Sequence, residues 1–394
     1  MKKLTLQLFN KAVKFWLKAK RRAEYIFNAI YSPIIRYGVI ANLFPMPACL
    51  ADKELVSSIH QRNPSVDYEL PKIVELESAC VFDPRFNALY KPDGLIIEST
   101  ALIRYKEGHP INAPERLDYC ASGTYVIDKK MDKAIYGGVL FWTQYGHFLT
   151  ETLSRLWFIL CAPAFDKLKD IPILFRLAGP FDQRRNLENI FAPAKIILKQ
   201  LGIYENIIIV QAPLLVENML IPDAVILNNR KVNEMYCAFT KKIGELILSY
   251  YSSSHSWKDK QIYLSRSKLP DFTRRLANEE KLEQILKGHG YEIVHPETMP
   301  FSDQVRMFYE AREIVGPAGS AFHTLPFSVN NQISIKYLVE DTPSKTFNDI
   351  DGAMGINSLA IRCLYPHPLS LKRATFKDMI IDLRRAVNGI NKGT

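Results

Sequence analysis

Residues 291–320 are YEIVHPETMPFSDQVRMFYEAREIVGPAGS, and two patterns alternate within them. The segments 291–295 and 313–316 are short and rich in β-branched residues, which is typical of buried strands. Between them, residues 301–311 carry apolar side chains at helical spacing. A strand, a helix and a strand in this order predict two parallel neighbours joined by a right-handed crossover.

The alternation continues on both sides of this stretch. Two more strands are predicted at 261–265 and 332–338, with helices over 278–290 and from about residue 319. Such a parallel sheet binds ligands beyond the carboxyl ends of its strands. The upstream chain alternates as well, with strand patterns at 72–141, 171–176 and 206–211 and helical patterns at 145–160, 184–201 and 231–250.

These patterns predict an α/β protein with two Rossmann-like domains that face each other across a cleft. The polar stretch SSSHSWKDK, residues 252–260, is the candidate linker between them. The predicted divisions of the chain are an amino-terminal helix, two α/β domains, and a carboxyl-terminal helix with a tail, at 1–35, 36–251, 252–375 and 376–394.

The positive charge of the chain is confined to its start. The net charge is +10, yet residues 1–22 hold eight Lys and Arg and no acid, which leaves 43 basic against 41 acidic residues elsewhere. That balance excludes a general nucleic-acid footprint. The segment also has helical periodicity with Trp16 on its apolar side. A basic amphipathic helix predicts docking of residues 1–30 on an anionic membrane surface, and a helix packed on its own protein is the alternative.

Compartment is predicted from two further patterns. Charged residues interrupt every apolar run near the start, so no signal peptide is expected. The six cysteines are scattered and form neither a zinc motif nor a disulfide framework. Both patterns favour the cytoplasm, and the basic amphipathic helix predicts a peripheral location on the inner face of the membrane.

The stretch GPAGSA, residues 316–321, follows a predicted strand and precedes a predicted helix; it is called the hinge below. Gly316 and Gly319 would allow close approach of the backbone, and the helix start at Ser320 and Ala321 would favour an anion. The dinucleotide fingerprint is not matched because Ala318 replaces its second glycine, and the nucleophile elbow is not matched because Ala321 and Phe322 follow Ser320. A phosphate cradle and a plain turn both remain open here.

Basic residues follow a neighbouring strand of the same predicted sheet. Arg266 stands at a strand end, and the following loop carries Arg274 and Arg275 before Asn278 begins a helix. Arginines grouped at one sheet edge can clamp a diphosphate with paired hydrogen bonds. Solvated surface charge is the alternative for each of them singly.

The helix predicted at 145–160 carries a polar stripe. His147, Glu151 and Arg155 are spaced by four residues, which places them on one helix face. Either His147 or Glu151 could act as a general base, and Arg155 could neutralise Glu151. A structural hydrogen-bonded cluster is the alternative. The tripeptide Asp349-Ile350-Asp351 falls in a probable helix, so we expect it at the surface and predict no metal site.

Taken in order, these motifs resemble glycosyltransferase family 61. The resemblance is carried by Ser265-Arg266, RRLANE at 274–279, QVRMF at 304–308, the hinge, and the stripe His147, Glu151, Leu153 and Arg155. This sequence departs from the family pattern at Gln144, Gly146, Phe148, Ala318, Ala321 and Thr324, and His323 stands one position before the expected polar residue.

The resemblance implies a GT-B type enzyme that inverts the anomeric centre, uses a UDP-sugar and needs no metal or other cofactor. His147 or Glu151 would be the base, on the acceptor-side domain 36–251, with Arg155 and Tyr145 in support. Domain 252–375 would bind the donor through Arg266, Arg274, Arg275, Asn278, Gly316, Gly319, Ser320, Ala321 and His323. The acceptor would be a glycan or lipid-linked glycan in bacterial capsule or lipopolysaccharide synthesis.

Two other functions remain open at this stage. The substitutions at Gln144, Ala318 and Thr324 are compatible with a catalytically silent protein that binds nucleotide sugars or assists assembly at the membrane. A nicotinamide-dependent oxidoreductase would also use Rossmann-like folds, but it would need a clear glycine fingerprint.

Overall fold

The structure is a computed structural model that describes residues 66–86, 88–101, 105–106, 109–110, 127, 129–162, 165–179, 186–227, 231–253, 255–270, 276–328, 330, 332–366 and 379–392. These residues belong to one compact unit, Asn42–Thr394. The basic helix predicted at 1–35 lies outside the described residues, so its docking on a membrane stays a prediction. None of the described helices has both the length and the apolar character needed to cross a bilayer.

The region that contains the hinge is a parallel sheet of five strands, called the second sheet. Its strands in chain order are Gln261–Leu264, Glu292–Val294, Glu313–Pro317, Ser334–Val339 and Ser358–Arg362. They lie side by side in the order second, first, third, fourth, fifth, and every neighbouring pair is parallel. The four predicted strands are confirmed. The fifth was missed because only Ile361 of this edge strand is fully buried, which leaves little apolar signal.

Helices connect and cover the second sheet at Glu279–Gly288, Phe301–Glu310, Lys345–Met354 and Leu383–Asn391. The helix predicted after the hinge is a 3-10 helix, Ser320–Phe327, with Pro326 inside it. Pro326 has no amide hydrogen and therefore interrupts the hydrogen bonding that a regular α-helix needs at that position.

The amino-terminal part of the described chain forms the first sheet, which is mixed. Its parallel strands are Lys129–Leu140, Ile173–Leu177, Ile207–Ile209 and Leu214–Pro222. Antiparallel strands extend it at Ile73–Glu75, Cys80–Phe82, Leu89–Tyr90 and Ile96–Ile97. The prediction of strands upstream of residue 141 is therefore confirmed, and the α/β class with it.

Smaller elements complete the described chain. The longer helices beside the first sheet are Ala192–Gln200 and Glu234–Tyr250. Short strands pair as Val66–Asp67 and Ile226–Leu227 with Lys231–Asn233, Tyr105–Lys106 with His109–Pro110, and Leu364–Pro366 with Met379–Ile381. Single helical turns lie at Glu98–Thr100, Phe158–Cys161, Phe165–Lys167, Leu187–Asn189, Tyr204–Asn206 and Pro296–Thr298.

The candidate linker 252–260 is anchored rather than free. Trp257 is only 7% exposed and belongs to the apolar core beneath the second sheet. Its backbone N–H donates to Oε2 of Glu310 at 2.9 Å. Because both sheets lie within one compact unit, the division into two facing domains at this linker stays a prediction.

One contact between the two regions fixes the position of the 3-10 helix. A Cβ added to Gly244, on helix Glu234–Tyr250, would lie 1.8 Å from the carbonyl oxygen of Phe327. The hydroxyl of Thr240 on the same helix donates to the carbonyl of Pro326 at 2.9 Å. The helix that follows the hinge is thus packed directly on a helix of the first region, with no room for a larger side chain at residue 244.

Candidate functional site

The strand order of the second sheet creates a crevice between the carboxyl ends of its first and third strands. The second strand lies on one side of the first strand, and the third strand lies on its other side. Ligands of open α/β sheets bind at such a switch point. Arg266 follows the first strand and Gly319 follows the third. Nη1 of Arg266 lies 3.5 Å from the position that a Cβ on Gly319 would take. The structure therefore brings these two predicted donor-binding residues together.

Within the hinge, the two glycines have different surroundings. A Cβ on Gly316 would lie 2.9 Å from the carbonyl oxygen of Leu264, so this glycine permits close packing of two strands. A contact of Gly316 with the donor stays a prediction. Gly319 immediately precedes the 3-10 helix that begins at exposed Ser320. The first N–H groups of any helix lack partners within it, so those at Ser320 and Ala321 can serve an anion.

A buried carboxyl group holds the Arg266 loop in place. Oε1 of Glu279 accepts from the backbone N–H of Arg266 at 3.0 Å and from the hydroxyl of Tyr263 at 2.9 Å. Glu279 is 1% exposed, and burial raises its pKa to about 7. Sequence reasoning treated Glu279 only as part of a helix start; a glutamate beside apolar helix positions was the one available signal.

Asn278 has structural partners, and its part in donor binding stays a prediction. Its side-chain Nδ2 donates to the carbonyl of Ile381 at 2.8 Å, and its Oδ1 accepts from the backbone N–H of Ile381 at 2.8 Å. Both ends of the amide are thereby used to hold strand Met379–Ile381. Arg274 and Arg275 lie outside the described residues, and their place in a diphosphate clamp stays a prediction.

The predicted helix at 145–160 changes its winding twice. It is α-helical at Tyr145–His147, a π-helix at Phe148–Thr152 and a 3-10 helix at Leu153–Arg155. The predicted contact between the first two residues of the stripe is present, since Nδ1 of His147 lies 2.5 Å from Oε1 of Glu151. This pair is called the His–Glu pair below.

The predicted contact between Glu151 and Arg155 is absent from the structure, which describes both residues. Wider and then tighter turns rotate residue 155 away from the face expected of a regular α-helix. Buried Arg155 donates to the carbonyl of Pro222 at 2.5 Å and to the carbonyl of Ser99 at 2.6 Å. The expected neutralisation of Glu151 by Arg155 is therefore wrong, and Arg155 instead ties the helix to strand Leu214–Pro222 and to the turn Glu98–Thr100.

The His–Glu pair has a buried end and an accessible end. The side chain of Glu151 is 4% exposed, whereas that of His147 is 41% exposed. The imidazole of His147 also stacks on Phe141, with ring centroids 4.9 Å apart and an interplanar angle of 24°. A carboxylate at Nδ1 favours the tautomer that carries hydrogen there, which leaves Nε2 as the proton acceptor.

The start of this helix lies directly on the hinge side of the second sheet. A Cβ on Gly146 would be 3.0 Å from both Cδ2 of His323 and Oγ of Ser320. The hydroxyls of Tyr145 and Thr324 lie 2.6 Å apart. The His–Glu pair and the crevice are thus neighbours, and Tyr145 supports the contact between them.

His323 lies between the His–Glu pair and the crevice. It is partly buried, and its ring stacks on Phe347 at 4.6 Å between centroids with an interplanar angle of 13°. Burial, and to a smaller extent the nearby His147, lowers the pKa of His323 to about 4. The imidazole is therefore neutral at pH 7.

The Asp349-Ile350-Asp351 tripeptide is not at the surface as expected. Asp349 and Asp351 are 1% and 3% exposed because helix Lys345–Met354 turns this face toward the protein. Nζ of Lys345 lies 2.5 Å from Oδ2 of Asp349, and the Tyr337 hydroxyl donates to Asp351 at 3.1 Å. In the described part of the chain, no group of three or more His, Cys, Asp or Glu could hold a metal ion. Independence of a metal stays a prediction.

Comparison with known proteins singles out the same region. Residues 145–334 match the family model of Glycosyltransferase 61. The match begins at Tyr145, where the helix with the His–Glu pair starts, and it ends at the first residue of the fourth strand of the second sheet. It therefore includes both sides of the candidate site. No curated protein matches the chain.

Proposed function

Because this chain contains a glycosyltransferase family 61 domain and is a glycosyltransferase of the EC 2.4 class, we propose that it transfers a sugar from a UDP-sugar to a glycan acceptor with inversion and without a metal ion. The observation that carries the proposal is the contact at Gly146 between the helix of the His–Glu pair and the hinge. A base on one side of the reacting carbon and an anion-binding crevice on the other suit a single displacement.

His147 is the proposed base. Its Nε2 takes the proton of the acceptor hydroxyl as that oxygen bonds to the anomeric carbon and the bond to the UDP oxygen breaks. Buried Glu151 accepts the hydrogen bond from Nδ1 at 2.5 Å and stabilises the imidazolium that forms. The alternative, Glu151 as the base, is disfavoured because its side chain is only 4% exposed.

The leaving diphosphate is proposed to bind in the crevice. Arg266 beside Gly319 supplies a guanidinium, and the helix start at Ser320 supplies backbone N–H groups. Charge-assisted hydrogen bonds of this kind can replace a metal ion as the counter-charge for the departing phosphates. Arg274 and Arg275 are proposed to close the clamp from the adjacent loop.

The biological setting is proposed from the sequence alone. The eight basic residues within positions 1–22 would place the enzyme on the anionic inner face of the membrane, in the cytoplasm. A lipid-linked glycan acceptor is presented at that surface during capsule or lipopolysaccharide synthesis. The acceptor side would then be the region around His147.

A donor panel tests the proposal. The full-length protein is incubated with UDP-, GDP-, ADP- and CMP-linked sugars in the presence of EDTA, with free UDP and transferred sugar as readouts. We expect release from a UDP-sugar that EDTA leaves unchanged, and a rise in melting temperature with UDP alone. UDP binding without turnover on any acceptor would favour the silent binding protein. No melting shift and no release from any UDP-sugar would exclude the UDP donor.

A further inference from the structure

Two neighbouring residues, Phe347 and Gly146, orient the ring of His323. One face stacks on Phe347, 4.6 Å between centroids. Its Cδ2 lies 3.0 Å from the position of a Cβ on Gly146, so a larger residue there would press on the imidazole. The Cδ2 corner of the ring, to which Nε2 is bonded, therefore lies against the start of the 145–155 helix, where Ser320 also lies.

The opposite edge of the ring is enclosed. Nδ1 of His323 is buried, and among the described residues it has no hydrogen-bond partner. An orphaned buried N–H is rarer in proteins than an under-used acceptor, because a donor without a partner loses its water and gains nothing. The favoured neutral tautomer consequently carries its hydrogen on Nε2, the ring atom bonded to the Cδ2 that lies at Gly146.

We infer that His323, held by Gly146 and Phe347, donates a hydrogen bond from Nε2 to the leaving phosphate oxygen of the nucleotide sugar. The inference rests on the proposed donor site and adds to it a residue that contacts the leaving group. The proton stays on Nε2 throughout, since a neutral imidazole is a hydrogen-bond donor and not an acid here. The bond strengthens as negative charge builds on the departing oxygen, so His323 stabilises the transition state more than bound donor.

Three substitutions at one position separate this role from simple packing. The side-chain amide N–H of glutamine can stand where Nε2 does, whereas the shorter asparagine reaches only the position of Nδ1. We expect H323Q to keep kcat within about fivefold of the wild type, and H323N and H323A to lower kcat about 10²- to 10³-fold with little change in KM for the donor. Equal losses in all three variants, or no loss in any, would overturn the inference.

The tautomer itself is measured without any donor. Two-dimensional ¹⁵N–¹H spectra of the labelled protein, with the His323 signals assigned from their absence in H323Q, distinguish Nε2–H from Nδ1–H and from imidazolium. We expect the neutral Nε2–H form at pH 7 and a shift of its proton when UDP is added. An Nδ1–H tautomer or an imidazolium at pH 7 would refute the inference. Failure of the proposed function would instead appear as a wild type that releases UDP from no donor.

Discussion

Buried polar groups at the two ends of the second sheet differ in how fully they are hydrogen-bonded. At the amino ends, Nζ of Lys336 lies 2.5 Å from Oε2 of Glu313, and their side chains are 2% and 4% exposed. The Tyr291 hydroxyl donates to Glu313, Ser334 donates to it at 3.0 Å, and Lys336 donates to the carbonyl of Ile390 at 2.6 Å. Glu313 and Lys336 thus each have several partners, as expected of groups that serve the fold.

At the carboxyl ends, two buried polar groups lack part of their hydrogen bonding. Burial raises the pKa of Glu279 to about 7 and lowers that of His323 to about 4. Oε2 of Glu279 and Nδ1 of His323 lack hydrogen-bond partners within the described residues. Perturbed and under-partnered groups occur preferentially at functional sites, which supports the proposal that a ligand binds at the carboxyl ends.

The largest expected effect is at the carboxyl end, on the rate of transfer. H147A should lower kcat about 10²- to 10⁴-fold, because the acceptor proton loses its base. UDP should still raise the melting temperature as in the wild type. Exposed His289 provides the matched control, and H289A should transfer sugar normally. Full activity in both H147A and E151Q would mean that the base lies elsewhere.

The next effect is at the amino end and should appear only in stability. K336M leaves Glu313 buried without its cation, which should cost about 3–5 kcal/mol of unfolding free energy in urea titrations. Activity per folded molecule should stay near the wild-type value, and so should UDP binding. If folded K336M failed to bind UDP, the separation between the two ends would be broken.

The third effect concerns pH and Glu279. In the unfolded chain this carboxyl ionises near its ordinary pKa of 4.5, but in the folded protein it stays protonated until about pH 7. The folded state therefore binds more protons in this window, and the free energy of unfolding falls as pH rises through it. E279Q cannot ionise, so its stability relative to the wild type should improve by about 3 kcal/mol between pH 4.5 and 8.

Equilibrium unfolding at several pH values measures this difference. Glu280 is exposed on the same helix, and E280Q should follow the wild-type pH dependence. Parallel curves for E279Q and the wild type would show that Glu279 is ionised in the fold well below pH 7.

The smallest effect is on donor affinity. R266A should weaken UDP binding by about 1.5–3 kcal/mol, as expected for a lost hydrogen bond to a charged group. Isothermal titration calorimetry with UDP measures it directly. Exposed Arg312 at the amino end of the third strand is the matched control, and R312A should bind UDP normally. Equal weakening in both variants would indicate a general charge effect instead of a site in the crevice.

Much of the second sheet could be predicted because its local signals agree with its fold. Strand and helix periods alternate cleanly, and the strand order then brings Arg266 and Gly319 to one crevice. The adjacency of His147 and Glu151 was likewise predictable, since it depends on a single turn of helix. The edge strand Ser358–Arg362 gave little signal because most of its side chains are not buried.

The features that could not be predicted from the sequence depend on tertiary contacts. The π and 3-10 turns after residue 147 are compatible with α-helical periodicity, so the partners of Arg155 could not be inferred. Burial of Asp349 depends on which face of its helix meets the protein, and the role of Asn278 depends on a strand about 100 residues away. Sequence patterns place residues on elements, but they do not say which elements meet.

A crystal structure of the full chain with UDP tests the central claim most directly. The account predicts both phosphates in the crevice between the first and third strands of the second sheet, within hydrogen-bond distance of the Arg266 guanidinium and the backbone N–H of Ser320. Nε2 of His323 should face the terminal phosphate, across from the His–Glu pair. UDP bound anywhere else, with this crevice empty, would contradict the account.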